Sequence, residues 1–191
     1  MGRPREFEAD SVVEQAMETF WTHGYANTSP ALLAEATGVG KGSLYNTFGS
    51  KRELFDLAFA CYERMGTQLA TDILSQPGTT RERLRAWLRF AVDTDLAGPV
   101  RRGCLVTNTA VELGGRDPEA TAAVTAGVER MTALLAERIE QGKRDGDVPA
   151  AINAREYADF VANTLTGLRV TAKTADSAML YRIIDTALST L

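Results

Sequence analysis

Cysteine and histidine are nearly missing from this 191-residue chain, which holds two of the first, Cys61 and Cys104, and one of the second, His23. Without a CxxC pair or a second imidazole, neither a disulfide scaffold nor a zinc site can be assembled, and no metal is expected. No run of about 18 apolar residues is free of charge, so a membrane span is not expected. The opening residues MGRPREFEAD lack the apolar core of a secretory signal, and a cytoplasmic location is the expectation. Alternating apolar–polar runs long enough for a strand are missing as well. Ser and carboxylate residues are plentiful but form no nucleophile elbow and no paired-acid pattern, so neither an enzyme nor a bound cofactor is expected.

What remains is 45% hydrophobic, enough to bury a substantial core in one domain or two small ones. The formal net charge of −4 argues at first against a nucleic-acid partner. Its distribution argues the other way. Residues 1–60 hold five basic residues against eight acids, but three of the basic ones, Lys41, Lys51 and Arg52, fall in a span from 41 to 52 that contains no acid. An acidic chain can therefore still present a locally positive face.

Apolar residues recur at helical spacing throughout, and the periodicity predicts an all-α fold of about nine helices. The first runs from about Asp10 to His23 and stops at Gly24. A second begins at Ser29, a side-chain cap, with Pro30 where its missing N–H is harmless, and ends at Gly38. A third covers Lys41 to about Phe48. SKRE at 50–53 and TTRE at 79–82 have capping-box spacing and open a fourth and a fifth helix, with SQPG at 75–78 between them. A sixth helix over Gly103–Leu113, a seventh from Asp117 and Pro118, and two more over about 153–173 and 177–190 complete the chain. The stripe expected to face inward from the fourth helix is Leu54, Leu57, Ala58, Cys61, Tyr62, Met65 and Leu69.

Two short helices separated by TGVG form a helix-turn-helix. Gly38 supplies the left-handed residue that reverses the chain, and Val39 turns back toward Phe20, Leu33 and Leu44. A second helix so placed can enter the major groove with its first residues toward the base edges. Leu44 and Phe48, four apart, are core.

The segment GYANTSPALLAEATGVGKGSLYNTFGSKRELF, residues 24–55, resembles the DNA-binding signature of the tetracycline-repressor (TetR) family, with similarity over residues 10–59, about a quarter of the chain. The resemblance implies a homodimeric transcription regulator, usually a repressor, bound to a palindromic double-stranded DNA operator. It divides the chain into a DNA-binding domain at 1–52 and an effector-binding and dimerisation domain at 53–191. It places Lys41, Ser43, Asn46 and Thr47 on the reading face, where Lys41 suits guanine O6 or N7 and Asn46 the edge of adenine. It places Tyr45, Lys51 and Thr28 or Ser29 at phosphates, contacts that fix register without reading sequence. Arg3 and Arg5 could extend from an arm toward the backbone or minor groove. Gly40 and Gly42 depart from the family pattern: one weakens the cap of the third helix, the other removes a side chain from a DNA-facing position.

RRGCLVTNTAVELGGRDPE, residues 101–119, resembles a sub-group of that family in which a cysteine following a glycine responds to electrophiles or oxidants. Arg101 and Arg102 beside Cys104, near a helix start, are expected to favour the thiolate. The other kind of effector is a small molecule held non-covalently, with Trp87, Phe90, Asn108, Met131 and Tyr157 as candidate lining residues. Cys61 is expected in the core and His23 at a helix end. For the dimer, Val161, Leu165 and Leu168 of the eighth helix and Leu180, Ile183, Ile184 and Ala187 of the ninth are the expected contact, with Gly167 allowing close approach. Two other classes compete with a DNA-binding regulator: a helical ligand-binding or scaffolding protein without DNA recognition, and a thiol enzyme using Cys104.

Overall fold

The computed structural model describes residues 6–191. Arg3 and Arg5 lie outside the described residues. Among those, nine helices occur in the order α1 (Glu6–His23), α2 (Pro30–Thr37), α3 (Lys41–Phe48), α4 (Lys51–Leu74), α5 (Thr80–Ala97), α6 (Leu105–Leu113), α7 (Pro118–Asp145), α8 (Ala154–Thr171) and α9 (Ser177–Ala187). The all-α reading is correct.

The helix boundaries follow from local chemistry. Ser29 Oγ accepts from the Leu32 amide at 3.1 Å, and Gly38 ends α2 in the left-handed region at φ +66°. The box at Thr79 is complete: its hydroxyl accepts from Glu82 N at 3.3 Å, and the Glu82 carboxylate accepts from Thr79 N at 2.9 Å. The box expected at Ser50 forms by half. Ser50 Oγ accepts from Glu53 N, but the Glu53 carboxylate lies over Gly49, where an added Cβ would meet it at 2.1 Å.

Two apolar cores result. The first gathers Ala16, Met17, Phe20, Leu33, Leu44, Leu54, Phe55, Ala58, Phe59, Cys61 and also Leu105 of α6. The second is built from Ala70 and Leu74 with Leu84, Trp87 and Leu88 of α5, Leu135 and Ile139 of α7, Val161 and Leu168 of α8, and Leu180 and Ile184 of α9. Helix α4 serves both, its first half in one and its last turns in the other. The boundary drawn at 52/53 thus falls inside α4, directly before Leu54 and Phe55 of the first core. The inward stripe of α4 also differs from the one expected: Phe55 and Phe59 are buried, while Leu57, Met65 and Leu69 are exposed. With apolar residues on most sides of this helix, spacing alone selects no face.

Candidate nucleic-acid interface and the residues behind it

Helix α3 is anchored by one fully buried residue, Leu44, with Phe48, Tyr45 and Val39 packed at the margin of the first core. This leaves Lys41, Gly42, Ser43, Asn46 and Thr47 exposed together. A Cβ added at Gly42 would touch nothing within 4 Å, so the surface there is open rather than filled. Gly40 caps α3 without a side-chain bond. Ser29 is exposed at the start of α2.

At two of the expected phosphate positions, Thr28 and Tyr45, the hydroxyl is shielded. Thr28 is fully buried and its hydroxyl donates to the Gly24 carbonyl at 2.6 Å, so it braces the turn and cannot reach a phosphate. The Tyr45 hydroxyl is shielded from solvent and has no hydrogen-bond partner, although the ring is only half-buried. Burial, followed by the neighbouring Tyr25, pushes that phenol's pKa up, so it remains a neutral donor at physiological pH. Lys51 is half-buried, its ammonium 4.5 Å from the centre of the Tyr25 ring. Burial pulls its pKa down and the Glu112 carboxylate opposes that shift. Arg52, basic at the unfavourable end of a helix, has acids of its own chain as partners: Asp56 at 2.9 Å, Asp117, and Glu119 at 3.3 Å.

Behind this unit runs α6, and its contacts are not visible in sequence spacing. Trp21 Nε1 donates to the Gly103 carbonyl at 2.7 Å, and Arg102 stacks on the Trp21 ring at 3.8 Å while pairing with Glu18. Gly103 O also accepts from Arg169 Nη2 at 2.7 Å. At the far end of α6 the Glu112 carboxylate accepts from the Tyr25 and Ala26 amides at 3.0 and 2.5 Å.

Cys104 is the half-exposed N-cap residue of α6. Its two arginine neighbours in sequence point elsewhere: Arg101 donates to the carbonyls of Ala172 and Ala175, and Arg102 is held by Glu18 and Trp21. The Arg169 guanidinium, from α8, lies on the thiol's side, and Tyr62, Cys104 and Asp95 hold its pKa up against burial. The Tyr62 hydroxyl also faces the thiol, and burial foremost, with Cys104 adding to it, pushes that phenol's pKa up. Arg101 and Arg102, expected beside Cys104, are thus engaged elsewhere, while Arg169, on the thiol's side, is 65 positions away in sequence and invisible to local spacing. Cys61 is buried in the first core and His23 is exposed in the last turn of α1.

The five residues expected to line an effector cavity border neither of two clefts in the structure. Trp87, Met131 and Tyr157 belong to the second core, and the Tyr157 hydroxyl donates to the Ala187 carbonyl at 2.6 Å. Phe90 is exposed, and Asn108 is engaged by Arg102 O and Lys173. The two clefts lie elsewhere. One of about 230 Å³ is bordered by Trp21, Thr22, Thr94, Asp95, Pro99, Val100 and Arg102. The other, of about 500 Å³, is bordered by Arg52, Glu53, Asp56, Phe59, Glu63 and Glu119.

The expected dimer residues also need correction. Val161, Leu168, Leu180, Ile184 and Ala187 are buried within the protomer itself, because α4, α5 and α7 converge on that side of α8 and α9. Leu165 and Ile183 are half-buried. The apolar surface left free is Phe160, Val170 and Met179, with Gly167 between the first two on one stripe of α8.

Comparison with known proteins bears directly on the helix-turn-helix and on the helices behind it. Residues 12–58 match the family described as bacterial regulatory proteins, tetR family, and residues 80–188 match the tetracyclin repressor-like C-terminal domain. The chain belongs to the TetR family. Family membership makes it a DNA-binding, helix-turn-helix transcriptional regulator. It is 30% identical to an uncharacterized HTH-type transcriptional regulator, YezE, of Bacillus subtilis strain 168, over the whole of both chains. It is 24% identical to the HTH-type transcriptional repressor ComR of Escherichia coli K12, over all of this chain and 90% of that one. Among solved structures it is similar to a cysteine mutant of the TetR-family regulator CifR complexed with a 26-bp double-strand operator DNA. There the identity is 34%, the coverage 98% of each chain and the TM-score 0.84. Among the described residues, no helix is long and apolar enough to cross a membrane.

Proposed function

We propose that the chain is a homodimeric TetR-family repressor that binds a palindromic operator through α3 and is released by an effector acting in the C-terminal helices. The observation that carries the reading is the division of α3 into a locked side, Leu44, and an open side, Lys41, Ser43, Asn46 and Thr47. Lys41 and Asn46 read bases, while Ser29 and Lys51 hold phosphates. ComR is named as a repressor and CifR was captured on operator DNA, and both support the same role here. Selection of bound fragments from random duplexes tests the reading. A symmetric site with half-sites one turn apart, about 34–36 Å, is expected. Affinity should fall steeply as salt rises, because several phosphates are neutralised on binding. Enrichment of no duplex, or binding indifferent to salt, would refute it and leave a helical ligand-binding protein.

The dimer forms through the free stripe of α8 and the adjoining part of α9, Phe160, Gly167, Val170, Met179 and Ile183. A Cβ at Gly167 meets nothing within 4 Å in the protomer, so Gly167→Arg leaves the fold intact. That variant is expected to sediment as a monomer and to lose operator binding. An undiminished dimer would place the interface elsewhere.

For release, the reading favours Cys104 as the point of attack, through its half-exposed place at the N-cap of the helix that braces the DNA-binding unit. Iodoacetamide serves as the probe: the thiol sulfur bonds to the acetamide carbon, iodide leaves and the proton passes to solvent. Alkylation at one equivalent is expected to release operator DNA from the parent chain and not from Cys104→Ser. Equal release from both would exclude the thiol and point to a small molecule held non-covalently. No turnover is expected, since the modified cysteine is the end state.

A further inference from the structure

The turn between α1 and α2 is held from outside the DNA-binding unit. Gly24 leaves α1 at φ +79°, a left-handed conformation in which a Cβ would meet Glu112 Oε2 at 2.9 Å. The next two amides, Tyr25 and Ala26, have no helical carbonyl to bond and donate to the two oxygens of Glu112 instead, at 3.0 and 2.5 Å. Bonds from amides to a carboxylate are charge-assisted and are the stronger class. The same turn is rigidly joined to the rest of the reading unit. The Tyr25 ring stacks with Phe20, meets Phe55 edge-on with centroids 4.9 Å apart, and lies beneath the Lys51 ammonium. Thr28, two residues before α2, bonds back to Gly24 O.

We infer that Glu112 is the positioning residue through which α6 fixes the orientation of the DNA-reading unit. The inference rests on the reading of α3 as the recognition helix. Helix α6 has nine residues and is about 13 Å long, with a hold at each end. Gly103, two residues before its start, joins α1 to α8 by accepting from both Trp21 and Arg169. Near its last residue, Glu112 grips the α1–α2 turn. When the carboxylate is removed, the turn amides turn to water and the reading unit loses its fixed angle to the other helices.

The test uses the full chain and the variants Glu112→Ala and Glu112→Gln. Spin labels at Glu35→Cys and Ala133→Cys, both exposed positions, report the angle between α2 and α7 on a Cys104→Ser background, with labelled chains diluted by unlabelled ones. The parent should give one narrow distance distribution. Glu112→Ala should broaden it, speed amide exchange at Tyr25 and Ala26, and raise the Kd for the selected operator about tenfold or more, the equivalent of one charge-assisted bond. Glu112→Gln, with one amide oxygen left to accept, should lie between. An unchanged distribution and unchanged Kd in Glu112→Ala would overturn the inference, as would a distribution already broad in the parent. If Glu112→Ala does not fold, Glu112→Gln decides on the same criteria. If the parent binds no duplex, the proposed function fails, while the distance measurement still decides whether Glu112 fixes the unit.

Discussion

Replacing Arg169 by alanine is expected to destabilise the folded chain by about 3–5 kcal/mol, because it leaves the Asp95 carboxylate buried without a counter-charge. Asp95 is 5% exposed, and the Arg169 guanidinium meets it with Nη2 3.0 Å from Oδ1 and Nε 2.7 Å from Oδ2. Burial pushes the Asp95 carboxyl upward, and Arg169 is the first of the groups pulling it back. Burial likewise works against the Arg169 charge, but Tyr62, Cys104 and Asp95 together hold its pKa above the ordinary value. An acid whose folded pKa is raised binds its proton more tightly when folded than unfolded. The stability carried by that proton is present at low pH and is lost as pH rises from the unfolded value, about 3.9, through the folded one. Removing Arg169 moves the folded value further up. The deficit of Arg169→Ala should therefore be complete near neutral pH and smaller in mild acid, where Asp95 is protonated. Urea unfolding at the two pH values measures it, and an equal deficit at both would show that the lost energy is packing rather than charge. Replacing Asp95 and Arg169 together by leucine should recover most of the loss, since a buried pair exchanged for apolar groups is close to neutral.

Asn46→Ala and Lys41→Ala should each weaken operator binding by about 1–3 kcal/mol and relax base preference at one position of each half-site. Neither should change the unfolding midpoint, because both side chains are exposed and the helix is held by Leu44. Lys51→Ala should behave differently: affinity falls for operator and random duplex alike, and the salt slope drops by about one per protomer. Its ammonium rests on Tyr25 and faces Glu112, so a small loss of stability accompanies the change. Equilibrium binding at several salt concentrations, on the selected operator and a scrambled one, separates the two patterns. Uniform loss in all three variants would mean that α3 touches only backbone. Loss confined to Lys51→Ala would move the reading face elsewhere.

Local chemistry wrote much of this protein directly into its sequence. The caps at Ser29 and Thr79, the glycine stops after α1, α2 and α3, and the four-residue spacing of Leu44 and Phe48 act within one or two turns. A reader of sequence sees all their partners at once. For that reason the helices, the turn between α2 and α3 and the exposed row on α3 could be drawn before any coordinates. What tertiary structure decided are matters of choice among equivalents and of pairs far apart in the chain. On α4, α8 and α9 the apolar residues outnumber one face, so only packing selects Phe55 and Phe59 over Met65 and Leu69 for burial, and leaves Phe160 rather than Val161 outside. Thr28 and Ser29 are neighbours of the same polar kind, and the rigid turn at Gly24 alone determines which hydroxyl is buried. The carboxylate of Glu112 meets its amides across 86 and 87 positions, and Arg169 meets Asp95 across 74, separations at which no periodicity carries information. Spacing along a helix specifies which way a side chain points, but the neighbour it meets there depends on how distant segments close upon one another.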